Sequence, residues 1–212
     1  MGRTSNADQK LMDASLDLMW EESYGAVTID DICQRAGVKT GSFYYFYKSK
    51  AELAVAALEK LWNEEWKPML DEVFSPSLDP LVRLTGYLNA FPAKLAEQKK
   101  QHGKVLGCPI FSVATEVSTQ EVDVTAVVRD ILARKRRYYE STIRDAVAQG
   151  IIEPCDPVEE AMALFGLIEG MVSQARIMND PEVLRKLPEM ALSLLRVKPS
   201  AEPPASKAAV HV

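Results

Sequence analysis

Histidine is nearly missing from this chain: of 212 residues only His102 and His211 are histidines. Their scarcity argues against imidazole catalysis and against a zinc site, both of which lean on this side chain. Cysteine is sparse as well. Cys33, Cys108 and Cys155 cannot all pair and lack metal-ligand spacing, which fits a reducing compartment, so a cytoplasmic protein is expected. No glycine-rich phosphate loop, no paired carboxylates in an apolar setting and no nucleophile beside a base occur. The chain is therefore read as a non-enzyme with no cofactor and no metal. No apolar run approaches the ~20 residues that span a bilayer. The opening MGRTSNADQK has no apolar segment of the signal-peptide kind, so no membrane partner is expected. Nor does any segment alternate as a strand does, which leaves an all-α chain.

What is present is a normal globular balance, 47% apolar and 26% charged, with enough length to bury a core as one domain or two small ones. The net charge of −5 argues against a broadly basic protein, and Asp8, Asp13, Asp17, Glu21 and Glu22 make the first helix acidic. Positive charge is concentrated in one place. From Cys33 to Ala51 there is no acid at all, but Arg35, Lys39, Lys48 and Lys50 stand among Thr40, Ser42, Tyr44, Tyr45 and Tyr47. Ammonium and hydroxyl groups are the donors that hold phosphate oxygens.

The same stretch has the grammar of two short helices. Thr28 is placed as an N-cap, with Asp30 and Asp31 in the first turn, where the helix dipole favours acids. Ile29, Ile32, Cys33 and Ala36 share a face. Gly37 supplies a left-handed stop. A second helix is predicted over 40–46, and Ser49 with Glu52 makes a capping box for a third. Five aromatics in a row, Phe43 to Tyr47, cannot all face one core from a helix of 3.6 residues per turn, so some point outward. Two short helices joined by a glycine turn form a helix-turn-helix, whose second helix enters the DNA major groove.

AGVKTGSFYYFYKSKAELA resembles the DNA-binding signature of the TetR family of transcriptional regulators. Ala36, Gly37, Val38, Gly41, Ser42, Phe43, Tyr44, Lys48, Ser49, Lys50 and Leu53 fit it; Thr40 and Phe46 depart from common family choices. The likeness covers about residues 10–58. It implies a three-helix DNA-binding domain over 1–50 and a helical effector-binding and dimerisation domain over 51–197. It further implies a homodimer that binds double-stranded DNA at a palindromic operator and is released by a small-molecule effector. On this resemblance Lys39, Thr40, Gly41, Ser42 and Tyr44 are expected at base edges, and Thr28, Tyr45, Tyr47, Lys48 and Lys50 at phosphates. The other reading is a helical lipid-binding or interaction protein of the same fold that has lost DNA binding. The lysines and the tyrosine cluster argue against it.

In chain order, a first helix is predicted over 7–24 and a long helix over 49–74 with a break near Pro68. Asp79-Pro80, Asp156-Pro157 and Asp180-Pro181 each read as a cap followed by proline at the first helical position. Ser118 or Thr119 is expected to cap a helix running to Gln149, and Pro188 to interrupt the last one. Arg134-Lys135-Arg136-Arg137 is read as a solvated face, since Glu140 and Asp145 follow on the same helix. Arg3 is expected to fray, and 198–212, rich in Pro, Ala and Ser, to be a disordered tail.

An apolar effector lining is expected from Trp62, Trp66 and Met69 on the long helix, Phe91 and Phe111 further on, and Phe165 in the helix over 157–178. Tyr87 and Gln174 are the polar groups expected to orient a ligand. Such a lining favours a lipophilic effector over a sugar or phosphate. Cys108 adds an electrophilic alternative. It precedes Pro109 at a predicted helix start, where a dipole depresses a thiol pKa. GCPIFSVATEVSTQ also resembles a segment of a TetR branch whose regulators respond to reactive electrophiles.

Overall fold

Local signals in the sequence set most of the helix ends. A computed structural model of the chain describes residues 6–117 and 120–198, and holds ten α-helices and no strand among them. The expectations for Arg3, for caps at Ser118 or Thr119 and for 199–212 lie outside the described residues. α1 spans Ala7–Glu21, α2 Ile29–Ala36 and α3 Thr40–Phe46. Thr28 closes a reciprocal cap: its hydroxyl accepts from the Asp31 amide at 3.2 Å, and the Asp31 carboxylate accepts from the Thr28 amide at 2.9 Å. The Asp31 carboxyl is held below its ordinary pKa by the Thr28 side chain and then by the Thr28 amide. Gly37 stops α2 at φ 64°, a left-handed conformation that favours glycine.

α1 ends three residues earlier than its periodicity predicts. The Tyr24 and Gly25 amides turn away from the helix and donate to Glu116, at 2.9 and 2.6 Å, while Ser23 Oγ accepts from Ala26. α4 covers Lys50–Leu61 and α5 Lys67–Val73, with a π-helical turn over Trp62–Trp66 between them. The proline ring of Pro68 conflicts with the carbonyl four residues back, at Glu64, and the widened turn lies over that carbonyl.

The remaining helices are α6 (Pro80–His102), α7 (Pro109–Val117), α8 (Val122–Ala148), α9 (Pro157–Met178) and α10 (Leu187–Leu194), the last preceded by a 3₁₀ segment over Pro181–Lys186. All three Asp-Pro pairs act as the spacing predicts. Asp79, Asp156 and Asp180 accept from the amides of Leu81, Val158 and Glu182 at 2.8, 2.8 and 3.0 Å. The final interruption falls where the 3₁₀ segment meets α10 at Leu187, so that Pro188 takes the second position of α10. Lys198, read as the start of the tail, is instead tied in. Its amide donates to Ile151 and its ammonium meets Glu153, next to an isolated antiparallel bridge between Ile152 and Val197.

Packing divides the chain into two compact units, each built from separated stretches. Among the described residues, one comprises 6–66 together with 109–117 and 120–132; the other comprises Lys67–Cys108 together with 133–198. The first therefore groups α4 and α7 with the three N-terminal helices, since Leu53 of α4 shares a core with Leu11, Leu18, Ile32 and Phe43. In the second, buried Arg83 pins the α5–α6 connection through the carbonyls of Pro76 and Leu78 and pairs with Asp145 of α8. By length and composition α9 would suffice to cross a membrane, yet Ala161, Leu164, Ile168 and Ala175 are core residues of this unit, and the buried Glu169 shares that helix.

Candidate nucleic-acid interface and effector region

α3 is only seven residues long, so what it presents depends on how it is held. Phe43 is fully buried and Tyr47 is 8% exposed, which anchors one side of α3 in the N-terminal core. The opposite side carries Lys39, Thr40, Gly41 and Tyr44 outward, with Ser42 partly covered; Tyr45 is 83% exposed and Lys48 stands free of the core. Tyr44 rests edge-on against Phe43 at 5.2 Å, and Tyr45 against Phe46 at 4.9 Å, so both outward rings are propped by inner ones. Thr40 Oγ1 donates to Asp30 at 3.1 Å and fixes the register of α3 on α2. A side chain at Gly41 would meet nothing within 4 Å, so its absence serves no packing inside the chain.

Three of the residues expected at phosphates are engaged within this unit. The Thr28 hydroxyl serves its cap and donates to Asp31. The Tyr47 hydroxyl donates to Asp8, and burial followed by that carboxylate raises its pKa. Lys50 donates to the carbonyls of Tyr24 and Val27 at 2.7 and 2.8 Å, with its ammonium 4.3 Å from the centre of the Tyr24 ring. Burial lowers the Lys50 pKa, and the acids Glu121 and Glu116 oppose that shift. Arg35 pairs with Glu21 at 3.0 Å. The exposed ammonium groups flanking α3 are thus those of Lys39 and Lys48.

Sequence reasoning missed Glu116. It holds the two amides at the α1–α2 turn while Lys50 holds two carbonyls of the same turn, so the segment leading into α2 is clamped on both sides. A Cβ at Gly25 would stand 2.8 Å from Glu116 Oε1, so a larger residue there would push the Glu116 carboxylate off these amides. No local pattern announces a partner so distant in the sequence.

Of the residues expected around an effector, Trp62, Trp66 and Phe111 fall in the first unit and Met69, Tyr87, Phe91, Cys108, Phe165 and Gln174 in the second. In the second, Tyr87 is buried and meets Phe91 edge-on at 5.0 Å, while Met69, Phe165 and Cys108 are half-buried. Gln174 is exposed on α9 and lines no interior of this unit. Cys108 ends a short loop held on both sides: Gln98 accepts from the Gly107 amide, and Asn179, which caps α9, accepts from the Val105 amide. None of the three cysteines is in a disulfide. Burial raises the pKa of Cys33 and Cys155.

The basic run on α8 is not a solvated face throughout. Lys135 is 3% exposed and its Nζ lies 2.8 Å from Oε1 of Glu169, itself 2% exposed. The signal for this pair was a single acid in the otherwise apolar middle of α9. Beside it, Tyr139 donates to the Tyr87 hydroxyl at 3.2 Å.

A helical chain whose second and third helices form a clamped helix-turn-helix, with a polar face on the third, belongs to the class of helix-turn-helix DNA-binding proteins. Comparison with known proteins narrows this. Residues 11–57 match the family described as "Bacterial regulatory proteins, tetR family" and residues 80–190 that described as "Tetracyclin repressor-like, C-terminal domain". The transcriptional regulator AcuR of Cereibacter sphaeroides is 30% identical, with 85% of this chain and 81% of that one aligned. A crystal structure of a regulatory protein TetR from Rhodobacter sphaeroides superposes with a TM-score of 0.76 at 28% identity, over 88% of this chain and 97% of that one. The reduced form of Escherichia coli NemR superposes at 0.78 with 19% identity, over 92% and 99%. The chain belongs to the TetR family of transcriptional regulators.

Proposed function

We propose that this protein is a ligand-controlled repressor that binds a palindromic operator as a homodimer and lets go when a small effector enters its C-terminal half. The observation that carries the reading is that Lys39, Thr40, Gly41 and Tyr44 are exposed on the outward face of α3, with Ser42 partly covered and Tyr45 and Lys48 exposed beside them; on this reading the first five meet base edges and the last two take phosphates. Repression is supported by the likeness to NemR, a transcriptional repressor 22% identical over 83% of this chain. Pairing of two copies is supported by apolar side chains left exposed on α9 and α10, among them Met162, Ile177 and Met190. They are large, and Gly166 and Gly170 between them admit a close neighbour.

Release requires that the effector bind the DNA-free arrangement better, with a coupling of about 1–3 kcal/mol. An apolar or electrophilic effector is supported by the aromatic residues around Tyr87 and by Cys108. In the electrophilic case the Cys108 sulfur adds to an activated alkene, an S–C bond forms, and the thiol proton ends on the neighbouring carbon.

A gel shift on DNA flanking the protein's own gene, at two salt concentrations, tests the reading. A competitor-resistant, salt-sensitive complex is expected. N-ethylmaleimide should dissolve that complex for the wild type and leave it for Cys108→Ser. Absence of any complex with folded dimer would sink the regulator reading; an unaltered response in Cys108→Ser would remove only the thiol.

A further inference from the structure

The interior of the C-terminal unit holds more polar chemistry than its packing requires. Lys135 and Glu169 form an ion pair within the core, and Tyr87 and Tyr139 share one hydrogen bond beside it. Two features of this group are unfinished. Glu169 uses Oε1 for Lys135, and its buried Oε2 has no hydrogen-bond partner. The two tyrosines bring two hydroxyl protons to one hydrogen bond, which leaves one hydroxyl proton to donate elsewhere. A buried polar group without a partner is costly, and a native fold keeps few of them.

The groups act on one another. Burial opposes the charge on Lys135, but the Glu169 carboxylate outweighs it and holds the ammonium protonated. Burial raises both tyrosines, with the charge of Lys135 pulling the other way. The ion pair is neutral as a whole, so a charged guest would arrive without a counter-ion. A neutral guest would not. What is left open is one acceptor, on Glu169, and one donor, on the tyrosine pair. Aromatic faces flank them: Phe91 stands edge-on to Tyr87, and the Phe165 ring centre lies 5.6 Å from the Lys135 ammonium.

We propose that this buried group is the recognition end of the effector site and takes a small uncharged molecule bearing a hydroxyl or a carboxamide on a flat apolar body. The guest's O–H or N–H donates to Glu169 Oε2, and its oxygen accepts from the tyrosine hydroxyl. The inference rests on the regulator reading above and narrows its ligand from any apolar molecule to one with a paired donor and acceptor. Polar groups built to be satisfied by a guest reject an analogue that lacks the partner far more strongly than an apolar wall rejects an extra methylene.

Isothermal titration of the full-length protein with benzyl alcohol, benzamide, toluene and benzoate tests it. Benzyl alcohol and benzamide should bind at least tenfold tighter than toluene, which has the same body and no donor, and than benzoate, which adds a charge. In Glu169→Gln the preference for benzyl alcohol over toluene should shrink, and in Lys135→Met/Glu169→Leu, which keeps the core filled, it should vanish. Equal binding of toluene and benzyl alcohol by the wild type overturns the proposal. So does no binding of any probe by folded protein, where a water alone satisfies Glu169, and so does an unchanged preference in the double variant. A gel shift on the same preparations separates the two readings: probe selectivity without DNA binding removes the regulator, and DNA binding without probe selectivity removes this site.

Discussion

Glu169→Leu should destabilise the C-terminal unit by about 3–5 kcal/mol, because it leaves the Lys135 ammonium in the core without its carboxylate. Adding Lys135→Met should return most of that loss, since a buried ion pair exchanged for apolar groups of similar volume is often neutral or stabilising. Urea unfolding midpoints of the wild type, the single and the double variant measure both terms. A single variant that costs under about 1 kcal/mol would mean the pair is solvated, since exposed pairs contribute no more than that. The pair and its tyrosines also define an alkaline limit. Lys135, Tyr87 and Tyr139 all have raised pKa values in the fold, so their stabilisation is complete below the ordinary tyrosine value of 10.0 and is lost as pH rises above it. Unfolding midpoints should stay level from neutrality to about pH 9 and fall beyond pH 10.

Phe43→Ala should cost about 3–5 kcal/mol, the usual loss for emptying a buried aromatic site. The loss falls on the small core that Phe43 shares with Leu11, Ile32 and Leu53. Operator binding should disappear with it, because Phe43 anchors α3 in that core and props the outward ring of Tyr44. Tyr45→Ala makes the useful contrast. With Tyr45 almost wholly exposed, its removal should change stability by no more than about 0.5 kcal/mol, as surface substitutions do, yet weaken the DNA complex. If Tyr45→Ala lowered stability as much as Phe43→Ala, the division of α3 into an inner and an outer side would be wrong.

Features whose causes lie within a few residues were legible before the structure. The Thr28 cap, the Gly37 stop, the bounds of α3 and the three Asp-Pro starts each depend on neighbours along the chain. Features whose causes are tertiary were not. Nothing near Tyr24 says that Glu116 will draw it out of α1. Lys50 and Tyr47 fit a phosphate-binding motif by type, but the destination of an ammonium or a phenol on a long stem is decided by which carbonyls and carboxylates fold up beside it. Pro68 signals a break, while the π turn that absorbs it precedes the proline. Lys135 was hidden among Arg134, Arg136 and Arg137, since a run of like residues obscures the one member that faces inward. Glu169 was the better clue, an acid set in an apolar stretch.

On the proposed function, α3 is offered twice by a homodimer and reads two successive major grooves. A hydroxyl-radical footprint on the retarded fragment tests it most directly. Two protected patches should appear on one face of the duplex, with centres about one helical turn apart, roughly 34–36 Å. Protection should fade for Lys39→Ala and Tyr44→Ala, whose side chains are exposed on the outward face. A single unbroken patch, or two patches that those substitutions leave at full strength, would contradict the account.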